Sequence, residues 1–234
     1  MKVYAVIPAR AGSKGLPDKN IRDIAGKPLL AYSIAFAKRL PDVDRVFCST
    51  DSEKYAEIAR HCGAEVPFLR SSEAAADNAM EEDILNDLRV KFEMAGIEEP
   101  DLIVWLRPTF VFRNIKDVSR CIEALGADAT LSAARTVVRA ENRLYRISEK
   151  KLFPNFDDGG KSMMRRQDMP ESFKVFSTDV FRFKGNNFSA DFLGRCVYAV
   201  QTDNVCGLDI DDLFDFEVIK NIVENIPEFV NEYL

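Results

Sequence analysis

The sequence predicts an α/β protein in which helices cover both faces of a mainly parallel sheet. Short apolar runs, typical of strands buried on both faces, recur along the chain, and helical patterns lie between most of them. That alternation favours a parallel sheet, because a helix commonly connects one parallel strand to the next. A chain of 234 residues that is 47% hydrophobic can bury one large core of this kind. The predicted strands are Val3–Ile7, Arg45–Thr50, Val66–Leu69, Leu102–Leu106, Ala129–Ala133 and Cys196–Gln201.

Several predicted helices are recognised by apolar side chains that repeat on one face. Pro28 suits the first turn of the earliest helix, because the N–H that proline lacks would have no partner there. The last helix is expected from Asp211 to about Ile226. The faces expected to be buried are Leu30, Ile34 and Ala37 in the first helix, Ile84, Leu88 and Phe92 in a later helix, and Phe214, Val218, Ile219 and Ile222 in the last.

The α/β rhythm fails between about Val137 and Phe188. Charged and aromatic residues mix there with turn signals such as Asp157-Asp158-Gly159-Gly160, and no strong helical pattern appears. We therefore expect one domain, residues 1–234, with a β-rich lobe inserted at about 137–188.

Composition and charge exclude several classes of protein. The 32 Lys and Arg residues against 38 Asp and Glu give a net charge of -6, which argues against a general nucleic-acid binder. No apolar run approaches the roughly 18 residues of a membrane span, so a soluble cytoplasmic protein is expected. His61 is the single histidine and is expected on a helix surface. The five widely spaced cysteines, Cys48, Cys62, Cys121, Cys196 and Cys206, suit reduced core thiols better than disulfides or zinc ligands.

A basic, glycine-containing loop follows the first predicted strand, at the sheet edge where α/β proteins bind ligands. It carries Arg10, Lys14 and Lys19 together with Gly12 and Gly15. The glycine spacing matches neither the dinucleotide fingerprint nor the P-loop. Two interpretations remain, an anion cradle suited to a triphosphate and a solvated basic turn.

An acidic segment, LDIDD, precedes the last helix and places Asp209 and Asp211 two residues apart. In an extended segment these two carboxylates point to the same side, where they can share Mg2+ with a phosphate. Asp212 and Asp215 complicate this interpretation, because acidic residues in a first helical turn also favour the helix dipole without a metal. The residues alone leave metal binding and capping equally open.

The opening loop, IPARAGSKGLPDKN, closely resembles the signature of the cytidylyltransferases that make CMP-activated 2-keto-3-deoxy acid sugars, above all the N-acylneuraminate (CMP-sialic acid) synthetases. Further blocks continue the resemblance in the same order along the chain. They are AGKPLLAYSI, STDSEKYAEIARHCGAEVPFLR, the Pro108-Thr109 turn, RRQDMPESF and LDIDDLFDFE.

This resemblance implies a three-layer Rossmann-like nucleotidyltransferase fold with an inserted small dimerisation lobe, and hence a homodimer. It implies transfer of CMP from CTP to an acidic acceptor of the sialic acid type, with Mg2+ as cofactor and pyrophosphate as leaving group. No covalent intermediate is required, and the general base stays unidentified. Apolar residues of the lobe, Phe153, Phe156, Met163 and Met164, are expected to meet a partner subunit.

The resemblance also assigns roles to individual residues. It implies catalytic contacts with the triphosphate from Arg10, Lys14 and Lys19, and metal ligation by Asp209 and Asp211, of which Asp211 is also assigned to catalysis. Substrate binding is implied for Asn20, Arg70, Arg107, Arg165 and Gln167. A surface position after a strand is the alternative for Arg70.

Several blocks on the acceptor side or beside the base depart from the family pattern. Relatives carry L-Q-P-T-S-P-L-R where this chain has residues 106–113, so Arg107 stands in place of glutamine. Relatives carry Asn-Gly-Ala-Ile-Tyr where this chain has residues 173–179, and Asp77-Asn78 replaces their Asp-Thr. We infer retained transfer chemistry with an altered acceptor, and an altered base preference is the alternative left open. Arg107 is expected to bind an acceptor carboxylate or phosphonate, or equally to pair structurally with Asp101 or Glu99.

Two other functions compete with this one. A sugar-1-phosphate nucleotidylyltransferase has a similar fold but usually a different glycine-rich opening. A non-catalytic binding module would follow if the acceptor pocket had decayed.

Overall fold

A computed structural model describes residues 1–157, 159–160, 164–188 and 191–234. The strands in the described chain are β1 (Val3–Pro8), β2 (Asp23–Ile24), β3 (Lys27–Pro28), β4 (Arg45–Ser49), β5 (Leu102–Leu106), β6 (Ala133–Arg139), β7 (Tyr145–Ser148), β8 (Lys151–Pro154), β9 (Phe173–Lys174), β10 (Thr178–Arg182) and β11 (Val197–Gln201). The α-helices are α1 (Leu29–Arg39), α2 (Glu53–His61), α3 (Ser72–Ala75), α4 (Glu81–Met94), α5 (Ile115–Ala127), α6 (Leu213–Asn225) and α7 (Pro227–Val230).

The central sheet has the strand order β11-β6-β10-β5-β1-β4, with the short β9 beside β6. Strands β4, β1 and β5 are parallel to one another, and β11 is parallel to β6. Strand β10 runs antiparallel between β5 and β6. The predicted α/β fold is confirmed, with this one reversed strand inside the main sheet.

Both faces of the sheet are buried, as the apolar runs indicate. Along β1, the side chains of Ala5 and Ile7 enter the core cluster that α1, α2 and α5 cover. The alternate side chains of Tyr4 and Val6 enter a second, aromatic-rich cluster with α4. A third apolar cluster packs α6 beside the start of α1. These layers hold the carboxyl ends of β1 and β5 next to each other.

Two of the predicted strands differ in the structure. Residues 66–69 form no regular strand, and only Glu65 bridges to Phe47. Pro67 explains this result, because proline cannot donate to a strand ladder. The strand predicted at 129–133 begins only at Ala133, because the Asp128 carboxylate accepts a 2.8 Å hydrogen bond from the Thr130 N–H and closes a turn first.

Strand β10 lies inside the range 137–188 that the sequence assigns to an inserted lobe. It is a central strand, although its second residue, Asp179, is completely buried. A buried acidic residue interrupts the apolar pattern from which a strand is predicted, so the sequence does not indicate this strand. Between β6 and β9 lies the β7–β8 hairpin, which pairs with no strand of the main sheet in the described chain. Asp158 of the expected turn and Met163 lie outside the described residues.

The last helix begins at Leu213 rather than Asp211, and its buried face was predicted only in part. Ile219 is buried as expected, but Phe214 is 75% exposed and Val218 is 38% exposed. The buried side chains are Phe216, Ile219 and Val223. They follow the three- and four-residue spacing of one helix face, from which Phe214 points away.

The thiols and the histidine follow their predictions in part. Cys48, Cys121 and Cys206 are buried free thiols, and burial raises the pKa of Cys48 to about 12. Cys62 is only half-buried and Cys196 is exposed, so the prediction of core thiols is wrong for Cys196. His61 is exposed at the end of α2, as expected. Among the helices of the described ranges, none is long and apolar enough to cross a membrane.

Candidate active site

A cleft of about 450 Å³ opens at the carboxyl ends of β1 and β5. Its walls come from the loop after β1, from the segment between Arg70 and Ile84, and from the end of β5 through Thr109. The sequence places these three segments far apart, and the parallel order of β4, β1 and β5 brings them to one sheet edge. The cleft therefore lies where ligands of α/β proteins bind.

Two cations of the loop after β1 converge on one carboxylate across the cleft. The Lys14 Nζ lies 2.7 Å from Asp77 Oδ2, and the Arg10 Nη1 lies 3.1 Å from Asp77 Oδ1. Hydrogen bonding from Lys14 lowers the pKa of Asp77, and Arg10 acts in the same direction. Arg10 also donates to the carbonyls of Ala75 and Ala76, each at 3.4 Å. The two cations are thus held close enough to grip one anionic group together.

The rest of the loop packs directly against the acidic segment before α6. Lys19 Nζ donates a 2.6 Å hydrogen bond to the Ile210 carbonyl. A Cβ atom at Gly15 would lie 2.9 Å from the Asp211 carbonyl oxygen, so only glycine allows this approach. Asn20 Nδ2 donates to the Arg10 carbonyl at 3.0 Å and braces the loop from within. The basic loop and the acidic segment, predicted separately, are therefore in contact, although Asp209 and Asp211 are not among the residues that line the cleft.

The four aspartates around the start of α6 form two pairs with different contacts. Asp212 accepts hydrogen bonds from the backbone N–H groups of Phe214 and Asp215, and the Asp215 side chain accepts from Asp211 and Asp212. These two residues form a capping box. The capping interpretation therefore applies to Asp212 and Asp215, while the carboxylates of Asp209 and Asp211 make no such cap.

Asp209 carries an unsatisfied buried oxygen. Its Oδ1 has no hydrogen-bond partner among the described residues. Burial raises the pKa of Asp209 and the nearby charge of Asp211 acts in the same direction, whereas a hydrogen bond with Thr109 opposes them. A buried carboxylate oxygen without a partner fits a cation ligand, because an unpaired buried charge is otherwise costly.

These carboxylates fit Mg2+ held jointly by protein and substrate. Within the described part of the chain, no group of three or more His, Cys, Asp or Glu residues is arranged to hold a metal by itself. Asp209 and Asp211 supply two hard oxygen donors, and Mg2+ commonly takes one or two carboxylates with the remainder from phosphates and water.

Arg70 is buried in the cleft wall rather than placed on the surface. It is 7% exposed, and its guanidinium donates to the Ser49 carbonyl at 2.7 Å and to the Ser49 Oγ at 3.1 Å. Burial lowers the pKa of Arg70. Ser49 ends β4, so this bond fixes a guanidinium beside the strand that neighbours β1.

Arg107 has different partners from those suggested by the sequence. Its guanidinium donates to Asp179 at 2.7 Å, to Glu81 at 2.9 Å and to the Phe176 carbonyl at 3.0 Å. The suggested partners are engaged elsewhere, since Asp101 accepts from the Lys2 N–H and Glu99 from Arg89. The prediction of a pair with Asp101 or Glu99 is wrong. Arg107 nevertheless borders the cleft.

Arg165 and Gln167 lie apart from the cleft. The Arg165 side chain is 74% exposed and pairs with Asp168 at 2.9 Å, and Gln167 is also exposed. Neither residue is among those that line the cleft. Their predicted contact with substrate therefore has no counterpart within this single chain.

Sequence reasoning missed three wall residues, Asp77, Glu81 and Trp105. Asp77 belongs to the altered pair Asp77-Asn78, in which Asn78 is the residue that departs from the family pattern. Glu81 follows it by four residues and begins α4. Trp105 was taken as an ordinary strand residue, although it ends a buried strand that leads into the Pro108-Thr109 turn, and that position was an available signal.

Fold and site together define an α/β protein in which a cationic loop packs against an acidic segment. A family model described as cytidylyltransferase matches residues 4–225, and the chain belongs to that family.

Relatives of known name agree with this assignment. The CMP-N,N'-diacetyllegionaminic acid synthase of Legionella pneumophila is 41% identical over 123 residues, which cover 53% of this chain and 53% of that protein. The N-acylneuraminate cytidylyltransferase of Escherichia coli is 32% identical over 226 residues, which cover 94% of this chain and 52% of that protein. The chain thus spans about half the length of these two relatives.

A solved structure shares the fold. The structure of CMP:2-keto-3-deoxy-manno-octonic acid synthetase complexed with CTP superposes with a TM-score of 0.67 at 15% identity, covering 95% of this chain and 98% of that one.

Proposed function

We propose that this protein is a cytidylyltransferase that transfers CMP from CTP to an acidic acceptor, a 2-keto-3-deoxy acid sugar of the sialic acid type, and releases pyrophosphate. The observation that carries the proposal is the packing of the cationic loop on the acidic pair, through Gly15 and Lys19 against the segment 210–211. This contact supports the proposal, because the loop carries cations that suit phosphate and the adjoining segment carries carboxylates that suit Mg2+. Family membership supports the same reaction class.

The triphosphate replaces Asp77 as the partner of the loop cations. Arg10 and Lys14 already converge on the Asp77 carboxylate, and a more highly charged phosphate competes with it for the same donors. Asp77 is half-exposed, so it can turn toward solvent when displaced. Fixed cations of this kind offset the charge that develops on the leaving pyrophosphate.

The reaction is an in-line displacement at the α-phosphorus. An acceptor hydroxyl oxygen forms the new P–O bond and its proton passes to solvent, the bond from the α-phosphorus to the bridging oxygen breaks, and pyrophosphate leaves with that electron pair. Asp209 and Asp211 would hold Mg2+, which when bound polarises the phosphoryl group. Lys19 holds the acidic segment against the loop through the Ile210 carbonyl. Arg70 offers a rigid donor at the cleft wall for the cytidine half of the nucleotide.

A screen of acceptors and nucleotides tests the proposal. Purified protein with Mg2+ is assayed for pyrophosphate release with CTP or UTP and with each of several acidic sugars, sugar 1-phosphates and phosphonates. We expect release with CTP and at least one 2-keto-3-deoxy acid sugar, and little with UTP. Release only with a sugar phosphate or phosphonate, or only with another nucleotide, would support the alternative function of a nucleotidylyltransferase with another acceptor or base.

N-acetylneuraminate is expected to be a poor acceptor compared with its diamino relatives. Arg107 stands in the wall where relatives carry a glutamine, and it is held there by Asp179 and Glu81. The neutral amide of that glutamine is therefore absent from this wall. Hydroxyl or amide groups left without partners cost several kcal/mol, up to about 10⁴-fold in discrimination. Comparison of kcat/KM for the two sugars in the wild type and in Arg107→Gln measures this effect. A wild-type value for N-acetylneuraminate of about 10⁴ M⁻¹s⁻¹ or above would contradict the prediction.

We also propose that the protein works as a homodimer in the cytoplasm. The β7–β8 hairpin exposes large apolar side chains, with Ile147 77% exposed and Leu152 63% exposed. Phe153 is 38% exposed, Ile147 lies opposite Leu152 in the hairpin, and exposed apolar side chains grouped in this way favour a protein partner. A second subunit would also bring another hairpin and another Arg165 toward a neighbouring cleft. The free cysteines suit a reducing compartment.

Light scattering at micromolar concentration is expected to give twice the chain mass of 26.4 kDa. Replacing Ile147 and Leu152 together with lysine should shift the protein toward the monomer, because two exposed apolar side chains would leave the interface. Exposed Val90, on α4, provides the control, since Val90→Lys lies away from the hairpin and should leave the mass unchanged. A wild-type monomer would contradict the proposal.

A further inference from the structure

Trp105 contributes to the wall of the cleft and carries an unsatisfied hydrogen-bond donor. Its side chain is 1% exposed, and its indole N–H has no partner among the described residues. A buried indole N–H ordinarily finds an acceptor, because its desolvation is otherwise not compensated. A hydrogen-bond donor without a partner in the wall of a cleft is therefore suited to bind an acceptor atom of a ligand.

The strand register places Trp105 on the side of the cleft away from Arg70. Trp105 lies opposite Asp179 on β10, and Asp179 lies opposite Arg135 on β6. Paired residues of antiparallel strands share a face, so these three side chains form a row across the sheet. Arg70 instead bonds to Ser49 at the end of β4, beyond β1.

None of the described neighbours of Trp105 accepts a hydrogen bond from its indole N–H. Both carboxylate oxygens of Asp179 are engaged, Oδ1 by Arg135 at 2.8 Å and Oδ2 by Arg107 at 2.7 Å. Phe176 stacks on both guanidinium groups, with centroid distances of 5.3 and 5.4 Å. The charges of this cluster are compensated internally, which leaves the indole N–H as a neutral donor beside the partly exposed Glu81 carboxylate.

We propose that Trp105 determines acceptor specificity, with its indole N–H donating a hydrogen bond to an oxygen of the acceptor. The chemical class is an acidic sugar that presents a hydroxyl or acyl-amino carbonyl oxygen at this wall. The proposal rests on the proposed function, because it assumes a sugar acceptor. The cytosine O2 also accepts hydrogen bonds, but Trp105 lies on β5, and β1 separates it from Arg70, which bonds to the end of β4.

Fluorescence of the protein reports on this bond directly, because the chain contains one tryptophan. The protein with Mg2+ and α,β-methylene CTP, which cannot react, is titrated with N-acetylneuraminate and with N,N'-diacetyllegionaminic acid. We expect the emission maximum to move to longer wavelength when a sugar that supports turnover binds. The nucleotide analogue alone should leave the maximum in place. A shift with the analogue alone, or no shift with a sugar that is turned over, would overturn the role of Trp105.

Kinetics of Trp105→Phe give a second readout. This variant keeps an aromatic ring and loses the donor, so the acceptor KM should rise about tenfold while the KM for CTP stays the same. Phe181→Leu is the matched control, since Phe181 packs 6.4 Å from Trp105 in the same cluster but does not line the cleft. That control should lower the melting temperature and leave the acceptor KM unchanged.

The outcomes separate this inference from the proposed function. Equal changes of acceptor KM in Trp105→Phe and Phe181→Leu, or a changed KM for CTP alone, would show a packing or nucleotide role and overturn the inference. Pyrophosphate release by the wild type would still support the proposed function in that case. Absence of release with every sugar tested would overturn both.

Discussion

Lys14→Ala is expected to lower turnover with CTP about 30- to 1000-fold while the protein stays folded. Among the described residues, the partner of Lys14 is Asp77 across the cleft, and the Lys14 side chain is 74% exposed, so its loss removes no core packing. A charge-assisted phosphate contact that tightens in the transition state contributes about 2–4 kcal/mol. Steady-state rates of pyrophosphate release and a thermal melt measure the two effects.

Lys54→Ala is the matched control for this prediction. Lys54 also pairs with a nearby aspartate, Asp18, at 3.1 Å, but it does not line the cleft. It should keep wild-type turnover, because an exposed ion pair contributes about 0–1 kcal/mol to stability and nothing to phosphate binding. Normal turnover of Lys14→Ala would reject the role of the loop in phosphate binding and support the interpretation of a solvated basic turn.

Asp209→Asn is expected to lower the rate on the order of 10²- to 10³-fold and to raise the Mg2+ concentration needed for half-maximal activity. The variant replaces the carboxylate that holds an unsatisfied buried oxygen. The free protein should unfold at no lower temperature, because a buried negative charge near Asp211 is removed. Asp211→Asn should shift the Mg2+ midpoint in the same direction. A Mg2+ titration of activity for each variant measures the effect.

Asp212→Ala separates metal binding from helix capping. Asp212 caps α6 through two backbone N–H groups, so its loss should cost about 0.5–2 kcal/mol of stability. Its Mg2+ midpoint should match the wild type. An unchanged midpoint in Asp209→Asn and Asp211→Asn, with reduced thermal stability, would reject the metal role and leave both residues as structural.

The sequence could predict the components of the site but not their arrangement. The position of the cationic loop follows from a buried strand that ends in Pro8 and from small residues that allow a close turn. The contact between Lys19 and the acidic segment joins residues about 190 positions apart, and no local pattern encodes it. The family resemblance supplied the link, and Gly15 shows its physical basis, because a side chain there would collide with the Asp211 carbonyl.

The parts that could not be predicted depend on buried polar residues. Strand β10 carries a buried acidic residue, Asp179, which a hydropathy pattern does not expect in a strand. The strand is stable because Arg107 and Arg135 neutralise that carboxylate. The same pairing decides the position of Arg107, which sequence spacing had linked to nearer acidic residues. The altered family blocks at 106–113 and 173–179 thus meet in one cluster of the structure.

This cluster also bears on the competing functions. A binding module with a decayed pocket would have no reason to retain the contact of Gly15 with the Asp211 segment. A sugar-1-phosphate nucleotidylyltransferase would need a further cationic site for the sugar phosphate, whereas Arg107 is already engaged by Asp179 and Glu81. The binding module predicts no product, and the sugar-1-phosphate enzyme predicts a nucleoside diphosphate sugar instead of a CMP-sugar.

Phosphorus NMR of the reaction products tests the central claim most directly. The protein is incubated with CTP, Mg2+ and a 2-keto-3-deoxy acid sugar that gives pyrophosphate release in the screen. Transfer of CMP to the sugar should give one phosphodiester resonance, from CMP linked to the sugar, in equal amount to pyrophosphate. A diphosphate-linked product formed from a sugar 1-phosphate, or conversion of CTP only to free nucleotide and phosphate, would contradict it.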